Sequence, residues 1–186
     1  MIPFPNKKYN IIYADPAWKY ESGFIKRNWT NKYPTMKPEE IYNLPIDKIA
    51  DDNCVLFIWI TYPKLLIGLE TIKRWGFIYK ACAFTWVKKN KKADSYFWGM
   101  GHWTRANSEC CFLAVKGKPK RFSKSVHNIV DSKIEHHSKK PDCVRDRIVE
   151  LCGDLPRIEL FSRQKVNGWD SWGNEVEEEK QMSLIK

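Results

Sequence analysis

The sequence of 186 residues contains no apolar run of the roughly 20 residues that a membrane-spanning helix requires. Its longest apolar run, around Val55–Ile60, has the length of a strand. The first ten residues, MIPFPNKKYN, also lack the apolar stretch of a secretory signal peptide. We therefore expect a cytoplasmic protein.

Motifs for common metal and nucleotide sites are also missing. The six cysteines include no CxxC pair, and His136 and His137 near Cys143 do not have a recognised ligand spacing, so we expect no metal site. We interpret the cysteines as small buried hydrophobic side chains. Neither GxGxxG nor GxxxxGK[ST] occurs, so neither a nicotinamide enzyme nor an NTPase is indicated.

Positive charge is abundant, with 32 basic and 22 acidic residues and a net charge of +10. Cations cluster at residues 88–92 and 116–124, and aromatic residues such as Trp98 and Trp103 lie near them. Cations neutralise phosphates and aromatic faces stack on bases, so this mixture favours nucleic acid as a partner. The alternative is that both clusters are solvated loops that only aid solubility.

Apolar segments that suit strands alternate with segments that suit helices. The predicted strands are Tyr9–Ala14, Cys54–Ile60, Phe77–Val87, Glu109–Val115, His127–Asp131 and Arg157–Phe161. The predicted helices are a short one beginning at Pro38, then Pro63–Trp75 and Pro141–Cys152, while the segment NGWDSWGN is predicted to be turns. This alternation predicts a three-layer α/β sheet, in which the ligand site lies at the carboxyl ends of the strands. The loops expected at that site are those after Ala14, Ile60, Val87, Val115, Asp131 and Phe161.

We expect a single domain over residues 1–174. Inserted loops at about 18–36, 88–107 and 116–126 are rich in polar and aromatic residues and suit substrate binding. An acidic, flexible tail is expected over 175–186.

The segment Asp15-Pro16-Ala17-Trp18 directly follows the first predicted strand. An amino group on an aromatic ring is a poor nucleophile, and two acceptors on its hydrogens would stabilise the positive charge that develops during attack. The Asp15 carboxylate and the Pro16 carbonyl could be these acceptors, and Trp18 could stack on an extruded base. Alternatively, Asp15 caps a turn and Trp18 belongs to the core.

Many segments of the chain resemble the adenine-N6 methyltransferase family, whose eukaryotic members methylate mRNA and whose bacterial and phage members are mostly DNA methyltransferases. The similar segments run in the family's order over nearly the whole chain: YNIIYADPAW, YPTM, LFIWIT, RWGF, TWVK, GHW, LAVKG, HSKKPD, IELFSR and GWDSWGNEV. The resemblance implies a Rossmann-like methyltransferase fold with permuted motif order, in which the catalytic loop is N-terminal and the cofactor elements are C-terminal. It also implies S-adenosylmethionine as cofactor, with direct transfer of the methyl group.

The same resemblance assigns candidate site residues. The catalytic candidates are Asp15, Pro16 and Trp18, and Ala17 stands where the family has a second proline. The candidates for binding the cofactor are Asp15, Lys116, Glu159, Arg163, Asn174 and Glu175. Alternatively, Lys116 faces a phosphate and Glu159 pairs with a neighbouring basic side chain. The candidates for binding the substrate are Trp18, Tyr33, Lys88, His102, Lys120 and Arg121.

Three functions fit these residues. A short chain of this kind is typical of a bacterial or phage enzyme, so we expect methylation of adenine in DNA. The same reaction on RNA and an inactive nucleic-acid-binding subunit are the alternatives.

Family members often pair through the loop equivalent to residues 88–107, so a homodimer is also expected. Ser138 and Lys139 match a family signature that we expect to support the cofactor pocket.

Overall fold

The computed structural model describes residues 3–19, 35–101, 103–135, 139–174 and 176. The elements in chain order are β1 (Tyr9–Ala14), α1 (Pro38–Tyr42), α2 (Ile46–Ile49), β2 (Ala50–Ile60), a 3₁₀ turn (Tyr62–Lys64), α3 (Leu65–Arg74), β3 (Ile78–Lys89), β4 (Glu109–Lys116), β5 (Ile129–Lys133), α4 (Cys143–Cys152), β6 (Arg157–Leu160) and β7 (Asp170–Trp172). Every predicted strand and helix is present with small shifts of its ends. The strand β7 lies in the segment that was predicted to be turns, so that prediction is wrong for Asp170–Trp172.

The strands form one seven-stranded sheet in the order β5-β3-β4-β2-β1-β6-β7. Parallel pairing joins β2, β1, β6 and β7, and also β3 with β5. The strand β4 runs antiparallel to both of its neighbours, β2 and β3. The loop after β4 therefore lies at the amino edge of the parallel strands. The expectation that this loop joins the others at the carboxyl edge is wrong.

Both faces of the sheet are covered, as the apolar strands predict. Leu56, Ile58 and Ile60 of β2 belong to the core under α1, α2 and α3. Val55, Phe57 and Trp59, the alternate residues, belong to the core under α4. Because side chains alternate across a strand, a run that is apolar throughout must be buried on both sides. The predicted three-layer α/β architecture is confirmed.

Glycines end both long helices. Gly76 follows α3 with φ of +79°, and Gly153 follows α4 with φ of +88°, values that residues with a Cβ rarely adopt. None of the helices in the described ranges is long and apolar enough to cross a bilayer. Four cysteines are buried as expected, but Cys143 at the start of α4 is exposed, so the expectation is wrong there.

Candidate active site

Asp15 leaves the sheet at the carboxyl end of β1, between two neighbouring strands. Its preceding residue, Ala14, pairs with Ile58 of β2 on one side and with Leu160 of β6 on the other. The Asp15 amide donates a hydrogen bond to the Leu160 carbonyl at 3.5 Å. The Asp15 side chain is 26% exposed, so its carboxylate is held at the rim of the core and can still be reached from outside.

Lys140, just before α4, is the ion-pair partner of Asp15. Its Nζ lies 2.8 Å from Oδ2 of Asp15 and 5.6 Å from the centre of the Trp59 ring, and its side chain is only 12% exposed. Burial raises the pKa of the Asp15 carboxyl, and the charges of Lys140 and Arg163 only partly offset this. Burial opposes the charge on Lys140, but Asp15 and Glu109 outweigh burial, so the pKa of Lys140 is raised.

Glu109 extends the ion pair into a chain of four charges. Its carboxylate lies 3.4 Å from Nζ of Lys140 and 2.5 Å from Nζ of Lys88. Burial alone would raise the pKa of Glu109, but Lys140 and Lys88 outweigh burial and hold the pKa below its ordinary value. The predicted substrate residue Lys88 is thus connected to Asp15 through Glu109 and Lys140, with the sign of charge alternating at each step.

The Pro16-Ala17-Trp18 segment turns back onto the structure. The Trp18 amide donates to the Pro16 carbonyl at 2.8 Å, and the Met36 amide donates to the Ala17 carbonyl at 2.9 Å. The Trp18 ring is 6% exposed, and its Nε1 donates to the Trp59 carbonyl at 3.1 Å. Of the two interpretations of Trp18, the structure therefore shows a core residue rather than an open platform for a base.

Glu159 lies inside the sheet, in β6. Both of its carboxylate oxygens accept hydrogen bonds from the Arg145 guanidinium, at 2.7 and 2.8 Å, and the residue is buried. Burial raises the pKa of Glu159, and Arg145 opposes that effect. The structure thus shows pairing with a neighbouring basic side chain, which was the alternative to the predicted role in binding the cofactor.

Two further cofactor candidates lie on the same edge as Asp15. Arg163 follows β6, and its charge acts on the Asp15 carboxyl. Asn174 is exposed and follows β7, which runs parallel to β6. The candidates Tyr33, His102 and Glu175 lie outside the described residues, and so does Ser138.

The structure does not bring Lys116, Lys120 and Arg121 to Asp15. Lys116, the last residue of β4, pairs with Cys54 of β2, whereas Ala14, which precedes Asp15, pairs with Ile58 of the same strand. Cys54 and Ile58 are about 13 Å apart along β2, so Lys116 and Asp15 lie at opposite edges of the sheet. The Lys116 ammonium donates instead to the Ala50 carbonyl at 3.5 Å. Lys120 and Arg121 are exposed in the loop that follows Lys116 on the amino edge. Because β4 runs antiparallel to β2, the prediction that Lys116 lies at the same site as Asp15 is wrong, and Lys120 and Arg121 also lie on the opposite edge from Asp15.

Comparison with known proteins agrees with this geometry. The MT-A70 family model matches residues 9–175, which is most of the chain. The chain belongs to the MT-A70 family. It is 33% identical to the Type II methyltransferase M.MunI of Mycoplasma sp, over 95% of this chain and 81% of that protein.

Two human proteins that the chain resembles are much longer than it is. The chain is 28% identical to the N(6)-adenosine-methyltransferase catalytic subunit METTL3 of Homo sapiens, over 91% of this chain but 28% of METTL3. It is also 28% identical to the human N(6)-adenine-specific methyltransferase METTL4, of which it covers 38%. The family that the sequence motifs indicated, and its class of enzyme, are therefore confirmed.

Two residues of this MT-A70 site, Lys140 and Glu109, were not among the candidates predicted from the sequence. The motif HSKKPD drew attention to Ser138 and Lys139, but Lys139 forms ion pairs with Glu135 and Asp142 at the surface. The next residue, Lys140, contacts Asp15. Glu109 could be found only from the direction of β4, which places the start of that strand at the carboxyl edge.

The assembled group can both accept hydrogen bonds and pair with an anion. The Asp15 carboxylate can accept hydrogens from an amine, and Lys140 can neutralise a carboxylate brought beside it. Arg163 adds a second cation at the same edge. Lys140 pairs with Asp15 and the charge of Arg163 also acts on it, so this edge of the sheet suits a ligand that carries a negative charge.

Proposed function

We propose that this protein transfers the methyl group of S-adenosylmethionine to the N6 amine of adenine in DNA. One observation carries the proposal: Asp15, directly after β1 in the Asp-Pro-Ala-Trp segment, is paired at the carboxyl edge of the sheet with Lys140, whose side chain is only 12% exposed. Relatives named as N(6)-adenosine and N(6)-adenine methyltransferases support adenine as the acceptor.

The cofactor supplies a methyl group on a sulfonium, attached to an amino acid. We assign Lys140 as the cation that meets the carboxylate of that amino acid, because its ammonium lies 2.8 Å from the Asp15 carboxylate and is partly shielded from water. Arg163 and Asn174 remain candidates for other parts of the cofactor, since both follow strands that end on this edge. Glu159 supports the site indirectly, because it fixes Arg145 of α4 against β6.

Asp15 makes the adenine amine a better nucleophile in this proposal. Lys140 contacts Oδ2, and a carboxylate offers about four lone-pair sites, so Asp15 can also accept a hydrogen from the amine. The Pro16 carbonyl has a second lone pair beside the one used by the Trp18 amide. The amine loses a proton once it carries the methyl group, and Asp15, whose pKa burial raises, is the acceptor we assign.

DNA is the proposed substrate because bacterial and phage members of the family are mostly DNA methyltransferases. The match to a bacterial Type II methyltransferase, of which the chain covers 81%, supports this choice. Competition between DNA and RNA oligomers of the same sequence, each containing adenine, distinguishes the two substrates. Transfer to RNA in preference to DNA would contradict the substrate but not the chemistry.

The Asp15→Asn variant tests the mechanism, because it keeps the shape of the side chain and removes its charge. We expect the turnover of methyl transfer from labelled cofactor to fall by about 10²- to 10⁴-fold. Asp154→Asn is the matched control, since Asp154 is exposed and pairs only with Arg157 among the described residues. Wild-type turnover in Asp15→Asn, or a wild type that binds cofactor and methylates no adenine, would refute the proposal.

A further inference from the structure

The loop of residues 90–108 connects β3 to β4 at the carboxyl edge, and its base is fixed by hydrogen bonds. Asn107 donates from Nδ2 to the carbonyls of Lys88 and Phe97, and its Oδ1 accepts from the Lys88 amide at 3.0 Å. Asn90 donates to the Ser95 hydroxyl and to the Tyr96 carbonyl. These hydrogen bonds therefore hold the part of the loop next to the sheet in a fixed conformation.

The outer part of this loop presents large aromatic rings to solvent. Trp103 is 99% exposed and Trp98 is 61% exposed, and Tyr96 lies against Trp98 with ring centres 6.4 Å apart. Burial of an aromatic side chain is energetically favourable. Two exposed tryptophans on one loop therefore indicate a surface that becomes covered by a partner.

Cations flank the exposed rings. Lys91, Lys92 and Arg105 are exposed, and none of them forms an ion pair with another described residue. The only acidic residue of the loop, Asp94, pairs with Lys89 at 3.0 Å. A partner that suits this surface carries flat apolar faces together with closely spaced negative charges, and a nucleic-acid strand has both.

The loop is continuous with the candidate active site. Lys88, to which Asn107 and Phe97 bond, is the first member of the chain of charges that runs through Glu109 and Lys140 to Asp15. The other aromatic and basic loop differs in this respect. Phe122 is also 81% exposed, but its amide bonds to the Leu151 carbonyl near the end of α4, on the amino edge.

We propose that the DNA strand carrying the target adenine lies across residues 90–108, with its bases stacked on Trp98 and Trp103 and its phosphates near Lys91, Lys92 and Arg105. The proposal rests on the proposed function, since it assigns the surface that holds the same substrate. It also assigns no part of the substrate to the basic loop that follows β4.

The test compares the double variant Trp98→Ala/Trp103→Ala with the control Phe122→Ala. The probe is a fluorescently labelled DNA oligomer that contains adenine, with binding measured by anisotropy and methyl transfer measured on the same oligomer. We expect the double variant to bind about tenfold or more weakly and to show a raised KM for DNA, with an unchanged KM for S-adenosylmethionine. Trp103→Phe should retain most of the affinity, because phenylalanine still offers a ring face.

Several outcomes would overturn the proposal. Unchanged DNA affinity in the double variant is one, and equal weakening in Phe122→Ala is another. A fall in molar mass by light scattering without loss of DNA affinity would assign the loop to a contact between two copies of the chain. Loss of affinity for the matched RNA alone would assign it to RNA. A wild type that shows loop-dependent DNA binding without methylation would refute the proposed function and leave this surface intact.

Discussion

At the scale of single residues, the position of Asp15 is set by the sequence around it, but its environment is not. The apolar run of β1 ends at Ala14, so an acidic residue next in the chain must lie at the rim of the sheet. Lys140, which pairs with it, is 125 residues away along the chain. Only the folded sheet brings α4 over Trp59 and places that ammonium against the carboxylate.

Glu109 leads to a prediction about pH. Methyl transfer in the proposed mechanism requires ionised Asp15, whose pKa is raised by burial and raised further by the nearby charge of Glu109. As the pH is lowered, activity should therefore be lost at a pH that is higher than the ordinary pKa of aspartate. Glu109→Gln removes a like charge, so the pKa of Asp15 should fall and the acid limb should move to lower pH. The pH profile of turnover at saturating substrate measures this shift.

Glu70→Gln is the control for that shift. Glu70 is paired with Arg74 on the surface of α3, and it is not among the charges that act on Asp15. Its substitution should leave the acid limb unchanged. An acid limb that stays in place or moves to higher pH in Glu109→Gln would contradict the electrostatic role of Glu109.

The roles of Trp18 and Glu159 show what composition alone leaves open. An aromatic residue after a strand can stack on a ligand or fill the core, and the choice depends on whether α1 and Met36 close over it. A buried glutamate can bind a ribose or a guanidinium, and the choice depends on Arg145 facing it from α4. Neither neighbour is adjacent in the sequence.

At the scale of elements, strands buried on both faces could be predicted well, whereas strand direction could not. A run such as Val55–Ile60 indicates burial on both sides without reference to any partner. The direction of β4 depends on its connection to β3, which lacks the crossover helix that a parallel neighbour requires. The sequence of residues 90–108 shows no helical pattern, so an antiparallel β4 could have been predicted from it. That direction places Glu109, rather than Lys116, on the edge of the sheet that holds Asp15.

The contact between α3 and the end of β2 leads to a prediction about stability. A Cβ on Gly68 would overlap the side chain of the buried Ile60, so Gly68→Ala forces the packed helix and strand apart. We expect the free energy of unfolding to fall by about 1–3 kcal/mol, although alanine is the better helix former. Denaturant unfolding measures the change.

Leu66→Ala on the exposed side of α3 is the control and should change the free energy of unfolding by about 0.5 kcal/mol or less. Adding Ile60→Ala to Gly68→Ala should yield a double variant that is less destabilised than the sum of the two single changes. Stabilisation by Gly68→Ala alone would show that α3 is not packed against Ile60 in this way.

At the scale of the whole molecule, the sheet separates two basic surfaces that the sequence alone could not tell apart. The loop of 90–108 lies on the edge with Asp15, and the loop after β4 lies on the opposite edge. The net charge of +10 draws a polyanion to the whole protein, but it does not select an edge. The chain of charges from Lys88 to Asp15 makes the carboxyl edge the functional one in our proposal.

The same separation decides between two lysines for the cofactor carboxylate. Lys140 contacts Asp15 at 2.8 Å, whereas Lys116 bonds to Ala50 on the far edge. We expect Lys140→Gln to weaken S-adenosylmethionine binding by about 10- to 100-fold, the range for a lost hydrogen bond to a charged group, while Lys116→Gln leaves it unchanged. Lys140→Arg should keep most of the affinity, because the positive charge remains. Calorimetric titration of each variant, with thermal unfolding to verify that each is folded, measures these differences. Weaker binding in Lys116→Gln than in Lys140→Gln would place the cofactor carboxylate on the opposite edge and would refute the assignment of Lys140.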